Sequence, residues 1–311
     1  MTIVVAGSTG LVGSAIVREL NRRGESVIGI NRKVVDLLDR NSTFEFIKAA
    51  KPDLVIDAAA IVGGIGANNN FPVDFLSKNL QIQNNLMDAS HAADVERFVF
   101  LGSSCIYPRD CQQPIKEEYL LTGPLERTNS AYAVAKIAGI ELIKSYRKQF
   151  NRRWISLMPT NMYGPFDNFD LETSHVLPAF INRFVSAAKN SVQSVTVWGS
   201  GKPRREFLHS DDLAKATIIA AEKYDAPEHL NVGTGEDVTI SELADTVASK
   251  AGFTGEINWD SSKPDGTIRK VLDVTNIKKT GWHPEISLKE GIASTIEWFK
   301  ENENALVKRE R

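Results

Sequence analysis

Tyr132 and Lys136 have the types and the spacing that carbonyl reduction would use. They lie four positions apart, so a helix would place them on one face. A ketone that accepts hydride at carbon also needs a proton at oxygen, and free tyrosine, with a pKa of about 10, exchanges protons slowly near neutrality. A neighbouring ammonium favours phenolate, so we expect Lys136 to lower the pKa of Tyr132. Ser103, which follows an apolar strand, could donate a hydrogen bond to the same carbonyl oxygen.

A glycine-rich turn near the N-terminus gives this pair its context, because such a pair alone is common on helices. Gly7, Gly10 and Gly13 lie three apart, rather than in the G-x-G-x-x-G spacing of the commonest dinucleotide fingerprint. Glycine still permits a tight turn and a close approach of the backbone to a pyrophosphate at a helix N-terminus. A purely structural turn is the alternative. An apolar strand before the turn and a helical pattern after it favour a cofactor site.

Two cations follow the second predicted strand and bear on the choice of cofactor. An NAD-selective site usually places an acidic residue there to hold the ribose 2′-hydroxyl, whereas this chain has Arg32 and Lys33. Cations suit a 2′-phosphate, so we predict a preference for NADP(H). Solvated loop charges are the alternative interpretation.

Strands and helices that could position these residues alternate through the first half. Short continuous apolar runs separated by amphipathic segments indicate a parallel sheet covered on both faces, which is a doubly wound, Rossmann-type α/β fold. Its fourth strand ends at Gly102, at the sheet edge where such folds bind ligands. The predicted strands cover 3–6, 26–30, 54–58, 97–101 and 154–158, and the predicted helices cover 11–23, 73–93 and 132–150.

The pattern loosens after Pro159 and suggests a smaller α/β lobe. We expect residues 1–165, with returning segments near 206–236, to form an NADP-binding domain and residues 166–311 mainly a substrate-binding lobe. A charged tail over 301–311 is expected to fray. Ser174 is expected to cap a helix over 175–189, and the further predictions are strands at 195–198, 229–232 and 257–259 and helices beginning at 211 and 239 and covering 288–300.

Bulk composition excludes several other classes of protein. Among 311 residues, 42% are hydrophobic and 24% are charged, as in an ordinary globular protein, and the net charge of -2 excludes a broad electrostatic grip on nucleic acid. The sequence offers no secretion signal and no apolar run approaching the roughly 20 residues that span a bilayer. Cys105 and Cys111 are too few for a disulfide framework or a four-cysteine zinc site, so we expect no metal and a cytoplasmic protein.

Several longer motifs resemble the GDP-L-fucose synthase family of extended short-chain dehydrogenases over nearly the whole chain. Members of that family epimerise C3 and C5 of a 4-keto sugar nucleotide and then reduce C4 with NADPH. Besides the glycine turn, the resemblance rests on Val62-Gly63-Gly64-Ile65-x-Ala67-Asn68-Asn69, Leu101-Gly-Ser-Ser-Cys-Ile-Tyr-Pro108, Tyr132-Ala-Val-Ala-Lys-Ile-Ala-Gly139, Met158-Pro-Thr-Asn-Met-Tyr-Gly-Pro165, Asp167-Asn168-Phe169 and Ser174-His175-Val176.

The resemblance implies that Cys105 and His175 carry out the epimerisation. A 4-keto group acidifies the protons on both neighbouring carbons, so one residue must remove a proton and another must return one to the opposite face. Cysteine, with a reference pKa of about 8.5, becomes a usable base when thiolate is stabilised, and histidine, near about 6.5, can serve as the acid. Without the family pattern, core packing and helix capping would be the ordinary interpretations. Cys111 is expected to have no chemical role.

The resemblance also implies a cofactor set and a substrate set. Arg183 and Arg205 would contact a diphosphate, Trp198 would stack on a base or pack against a sugar, and Asp265 would contact substrate; a solvated or core position is the alternative for each. Family members often carry a basic residue inside the glycine loop, which is absent here. We therefore expect Arg32, with Lys33, to hold the 2′-phosphate and the selectivity for NADP(H) to be weaker than is usual in the family. The cofactor set is Gly7, Ser8, Thr9, Gly10, Leu11, Val12, Gly13, Arg32, Leu101, Gly102, Ser103, Ser104, Lys136, Pro159, Thr160, Asn161, Met162 and His175.

Two other functions remain open at this point. GDP-colitose synthesis runs parallel chemistry on a sugar without the 3-hydroxyl, where C5 alone inverts before C4 is reduced. A nucleotide-binding regulator that does not turn over substrate is an alternative of another class, although it would have no need of two sets of proton donors. The resemblance further implies a homodimer formed through two helices of each subunit, with a GDP-sugar as substrate.

Overall fold

Apolar runs of three to five residues form the strands of the central sheet, and amphipathic segments between them form its covering helices. The computed structural model describes residues 1–263 and 265–306. In chain order, the first half contains β1 (Thr2–Ala6), α1 (Leu11–Arg22), β2 (Ser26–Ile30), α2 (Arg40–Ala50), β3 (Leu54–Asp57), α3 (Ile65–Asn70), α4 (Asn79–Ala92), β4 (Arg97–Leu101), α5 (Ser130–Phe150) and β5 (Ile155–Pro159).

The second half supplies one strand to the main sheet and several short ribbons. It contains β6 (Asn161–Tyr163), α6 (Val176–Lys189), β7 (Ser194–Trp198), β8 (Arg204–Arg205), β9 (Phe207–His209), α7 (Ser210–Lys223), β10 (Leu230–Val232), β11 (Val238–Thr239), α8 (Ile240–Ala251), β12 (Glu256–Asp260), β13 (Arg269–Lys270), α9 (Thr275–Lys278) and α10 (Leu288–Leu306).

The six-stranded sheet confirms the predicted fold class. Its order is β10-β5-β4-β3-β1-β2, and every pair is parallel. α1 packs beside α7, whereas α4 packs beside both α2 and α5. β2 pairs with one edge of β1, and the next strand along the chain, β3, pairs with the other edge. The strand order therefore reverses between β1 and β3, and doubly wound folds bind ligands at such a switch point.

Two separate apolar clusters stabilise these layers. The larger one joins the sheet to its helices and includes Phe98, Phe100 and Trp154, whose side chains are fully buried. The smaller one lies among α6, α8 and α10 and is centred on Phe184. Three ribbons, β6 with β9, β7 with β12, and β8 between β11 and β13, form beside these clusters.

Some predicted elements differ from those in the structure. α2 was not predicted, because its exposed face is polar and Thr43 and Ile47 are its buried residues. A π-helical turn over Asp74–Lys78 precedes α4 within the predicted segment 73–93. α10 continues past residue 300 to Leu306, so the expected fraying does not begin at 301; residues 307–311 of that prediction lie outside the described residues. No helix among the described residues has the length and apolar character needed to cross a bilayer.

Candidate active site

A single cleft opens at the carboxyl ends of the strands, over the switch point between β1 and β3. Its volume is about 1780 Å³, which exceeds the roughly 300–1,000 Å³ of most small-molecule pockets and leaves room for two nucleotides. Every residue of the cofactor, catalytic and substrate sets lines this cleft except Ser8 and Gly13. The residues selected from the sequence therefore surround one shared cleft, except for these two, which support the glycine turn without lining the cleft.

The glycine turn has the shape that a pyrophosphate requires. Gly7 has a φ of +73°, and a Cβ there would lie 2.6 Å from the oxygen of Ala58. A Cβ on Gly13 would lie 2.1 Å from the oxygen of Gly7, so Gly13 lets α1 begin directly against the turn. Gly10 caps α1 without a side-chain hydrogen bond, which leaves the first N–H groups of the helix for an anion. These features fit the dinucleotide that the sequence implies.

Ser8 and Arg32 were both predicted to bind the cofactor, but of the two only Arg32 lines the cleft. The Ser8 hydroxyl donates a hydrogen bond to Ile30 O at 3.1 Å, so it ties the turn to β2 and does not face the cleft. Arg32 and Lys33 are exposed side chains in the cleft wall beyond β2. They are the cations in position to meet a ribose phosphate.

Close packing of α5 on β4 places the Tyr132–Lys136 pair. A Cβ on Gly139 would lie 2.3 Å from the Phe100 ring, so glycine allows the helix to approach the strand. As a result, Lys136 Nζ lies 4.7 Å from the centre of the Phe100 ring and donates a hydrogen bond to Leu101 O at 2.9 Å. The same Nζ lies 5.8 Å from the centre of the Tyr132 ring.

The charge balance of this pair differs from the sequence expectation. Burial raises the pKa of Tyr132 well above its usual value, and the nearby Cys105 and Asp57 raise it further. Burial lowers the pKa of Lys136, while Asp57 and Cys105 oppose that change. Desolvation therefore outweighs the attraction of the ammonium for a phenolate. A phenol that stays protonated suits a proton donor, which is the role that ketone reduction needs.

Cys105 and His175 both line the cleft, and they come from different parts of the fold. Cys105 is buried in a short helical turn after β4, where its N–H donates to the Ser103 hydroxyl oxygen at 3.3 Å. His175 is the N-cap residue of α6, in place of the predicted cap Ser174. Its loop is held by Gly64, whose N–H donates to Thr173 O at 2.9 Å. The His175 side chain is open to the cleft, but surrounding protein atoms lower its pKa by desolvation and Lys270 lowers it further.

Lys270 is a cleft residue that sequence reasoning missed. It belongs to β13, a strand of two residues whose brevity leaves no periodic signal. Burial lowers the pKa of Lys270, and Cys105 is the first of the groups that oppose this change. Since its charge also acts on His175, the ammonium lies within electrostatic range of both groups assigned to proton chemistry.

Two arginines and a tryptophan line the remaining part of the cleft. Arg183 donates to Thr196 O at 2.5 Å, and Arg205 donates to Arg204 O at 2.8 Å, so backbone contacts orient both guanidinium groups. Trp198 is 70% exposed and offers an aromatic face. Asp265 accepts hydrogen bonds from Ser200 N at 2.7 Å and Ser200 Oγ at 2.8 Å, which fixes the turn that follows Trp198.

Comparisons with known proteins agree with this arrangement. The model of the NAD dependent epimerase/dehydratase family matches residues 3–233. The chain is 51% identical over 301 residues to putative GDP-L-fucose synthase 2 of Arabidopsis thaliana, covering 96% of this chain and 92% of the relative. It is 49% identical to the GDP-L-fucose synthase of Escherichia coli (strain K12), covering 97% of each.

A colitose enzyme and a solved structure extend the comparison. The chain is 37% identical to the GDP-L-colitose synthase of Yersinia pseudotuberculosis, covering 98% of this chain and 99% of that one. It also superposes on the crystal structure of a GDP-L-fucose synthetase from Naegleria fowleri bound to NADP, with a TM-score of 0.90, 30% identity and coverage of 97% and 95%.

Proposed function

Because the chain belongs to the NAD dependent epimerase/dehydratase family, we propose that it is a GDP-L-fucose synthase, which inverts C3 and C5 of GDP-4-keto-6-deoxy-D-mannose and reduces C4 to give GDP-L-fucose. The observation that carries this proposal is the cleft whose lining includes a buried thiol, an imidazole and a tyrosine–lysine pair together with the glycine turn. An enzyme limited to reduction would need the last pair alone.

The reduction at C4 assigns a proton to Tyr132. NADPH, when bound, supplies the hydride. Tyr132 then gives its proton to the carbonyl oxygen, and its raised pKa ensures that this proton is present at neutral pH. The Ser103 hydroxyl oxygen accepts the N–H of Cys105, which leaves its own hydrogen to donate to the same carbonyl oxygen. Lys136 holds its ammonium beneath the phenol.

The epimerisation uses the other two groups. The 4-keto group acidifies the C–H bonds at C3 and C5, so Cys105 as thiolate removes each proton and His175 returns one to the opposite face. Lys270 supplies positive charge close to the thiol, as a thiolate base requires. The lowered pKa of His175 makes its protonated form a stronger acid.

The arginines complete the recognition of substrate. A GDP-sugar carries about two negative charges at its diphosphate, and the guanidinium groups of Arg183 and Arg205 suit bidentate contacts with phosphate oxygens. We assign Trp198 to the base or the sugar. Asp265 contributes to the substrate part of the cleft by accepting a hydrogen bond from Ser200, which holds the turn after Trp198 in place.

The alternatives are less favoured. Identity to the two GDP-L-fucose synthases is 51% and 49%, against 37% to the GDP-L-colitose synthase, so the fucose substrate comes first. A regulator without turnover would have no use for Cys105, His175 and the Tyr132–Lys136 pair together. Assays with both 4-keto sugars, with and without a 3-hydroxyl, separate the first two functions.

The decisive experiment mixes protein, NADPH and the 4-keto sugar nucleotide and follows the absorbance of reduced nicotinamide. We expect turnover by the wild-type chain and a loss of about 10²-fold or more in Tyr132→Phe, because phenylalanine has no proton to give. NADPH binding, measured by fluorescence, is the control and should persist in the variant. Full activity of Tyr132→Phe would contradict the assignment, and no turnover by folded wild-type protein would contradict the function.

Finer features follow from the same proposal. The enzyme works as a cytoplasmic homodimer. Its chain divides into a cofactor domain over 1–165, to which segments near 206–236 return, and a substrate lobe formed mainly by 166–311. Two exposed apolar side chains, Val134 of α5 and Val73 just before the π-helical turn that precedes α4, support a helical dimer interface. Sedimentation equilibrium tests it, since a monomer would rule the dimer out.

A further inference from the structure

Asp57 is a buried carboxyl group at the switch point of the sheet, and the reaction described above does not use it. It is the last residue of β3 and is 1% exposed. It lies in register with Ala6 of β1 and Phe100 of β4. Residues in register on parallel strands point to the same face of the sheet, so the Asp57 side chain lies on the face where the Phe100 ring supports Lys136.

The hydrogen bonds of Asp57 leave one oxygen without a donor. Asp57 Oδ1 accepts the N–H of Ala59 at 3.1 Å. In the part of the chain that the structure describes, Oδ2 has no hydrogen-bond partner although it is buried. An unpaired buried charge is unfavourable, and a buried opposite charge nearby is what offsets it.

Lys136 is that opposite charge. Within the described residues its one hydrogen bond, to Leu101 O, is to a neutral acceptor. Asp57 is the first of the two groups that counteract the effect of burial on the pKa of Lys136. Conversely, Lys136 is the charged group that acts on Asp57 among the described residues. The two groups therefore compensate each other through space from neighbouring elements.

We propose that Asp57 is a positioning residue for the reduction: its carboxylate is the counter-ion that keeps Lys136 an ammonium beneath the Tyr132 phenol, and it thereby sets the pH range in which the phenol can give its proton. The inference rests on the proposed function only through the reductive step. Epimerisation uses Cys105 and His175, and Lys136 acts on it only through its attraction for the Cys105 thiolate.

The direction of the pH effect follows from the charges. Burial raises the pKa of Asp57 to about 6, against the opposing effects of Lys136 and the Ala59 N–H. Above that pH the carboxylate is ionised, and its negative charge raises the pKa of both Lys136 and Tyr132. Below it, the charge is lost. Removal of the carboxylate should therefore make both groups lose their protons at lower pH, so reduction should decline earlier on the alkaline side.

Asp57→Asn is the matching variant, because the amide oxygen can still accept the Ala59 N–H. Asp167→Asn is its control: Asp167 is also buried, its Oδ1 accepts Asn168 N at 2.7 Å, and its Oδ2 has no partner among the described residues. Burial likewise raises the pKa of Asp167, to about 7, but no charged group among residues 1–263 and 265–306 contributes to that shift.

The experiment records kcat/KM for NADPH oxidation against pH, together with deuterium uptake from solvent at C3 and C5. In Asp57→Asn we expect the alkaline limb of reduction to move down by about one pH unit. The pH dependence of deuterium uptake should shift less, because Lys136 acts on epimerisation only through its attraction for the Cys105 thiolate. Asp167→Asn should keep the alkaline limb of reduction in place.

Three results would overturn the proposal: an unchanged reduction profile in Asp57→Asn, an equal shift of both reactions, or the same shift in the control. NADPH binding by fluorescence verifies that each variant is folded. If Asp57→Asn does not fold, Asp57→Ser, with a smaller neutral acceptor, carries the same expectation. Failure of the wild-type chain to oxidise NADPH would instead reject the proposed function, so the two failures are distinct.

Discussion

At the scale of single residues, the sequence indicates which side chains line the cleft but not their charge balance. Residue type and local motif were enough to select Tyr132, Lys136, Cys105 and His175, which line one cleft. The shift in the pKa of Tyr132 was not predictable, because it depends on desolvation by residues distant in sequence. Asp57 carries a weak signal in the sequence, an acid closing the apolar run Leu54–Asp57, and its meaning appears only when β4 lies beside it.

The thiol offers a prediction at this scale. Cys105→Ser should lower the rate of deuterium uptake at C3 and C5 by about 10²-fold or more. A serine hydroxyl is far too weak an acid to form the base near neutral pH. NADPH binding should persist, since the backbone of the turn after β4 is unchanged. Nuclear magnetic resonance of the sugar nucleotide in deuterated buffer measures the exchange.

Cys111→Ser is the control for that variant. Cys111 is half-buried in the loop before Pro114, and we expect exchange at the wild-type rate. Normal exchange in Cys105→Ser, or its loss in Cys111→Ser, would mean that the base has been assigned to the wrong thiol.

At the scale of elements, the strands of four or five residues and the long helices were largely predictable, whereas most strands of two or three residues were not. The five strands from β1 to β5 are continuous apolar runs between turn residues, and this pattern survives in a single sequence. Two- and three-residue strands such as β8, β9 and β13 carry no periodicity, and their pairing arises from tertiary contacts. Lys270 was overlooked for that reason.

The approach of α5 to β4 yields a second prediction. Gly139→Ala gains up to about 1 kcal/mol of helix propensity, but its methyl group would lie 2.3 Å from a Phe100 ring that cannot move in the core, and overpacking costs about 1–3 kcal/mol. We expect a net loss of stability in urea unfolding and weaker reduction, because Lys136 is displaced.

Gly66→Ala in α3 is the comparison for stability. Its new methyl group meets nothing closer than Glu172 O at 3.9 Å, so unfolding should be neutral or shifted in the stabilising direction. Equal stability of the Gly139 variant and the wild type would show that α5 can move away from the sheet.

At the scale of the whole molecule, one cleft serves cofactor and substrate, so ligands should report on its integrity. A ligand at a hundred times its dissociation constant stabilises the folded state by about 2.7 kcal/mol. NADPH should therefore raise the unfolding temperature more than NADH at equal concentration, because Arg32 in the cleft wall can meet the 2′-phosphate.

Arg32→Ala tests the origin of that difference. We expect the shift with NADPH to fall toward the shift with NADH, while the NADH shift itself stays as in the wild type. Thermal denaturation with each cofactor measures both. An NADPH advantage that survives the substitution would place the selective cation elsewhere, with Lys33 the first residue to examine.

The hydrogen bond from Gly64 to Thr173 has a consequence for folding during synthesis on the ribosome. Cys105 leaves the ribosome well before His175, and the imidazole can take its place only after the segment around residue 173 has returned to the loop after β3. Bringing together such distant segments is slow, because the entropy of closing a long loop is lost before the contact forms. During synthesis the chain therefore contains Cys105 before His175 can reach its position in the cleft. We expect epimerisation to begin only when the chain is nearly complete.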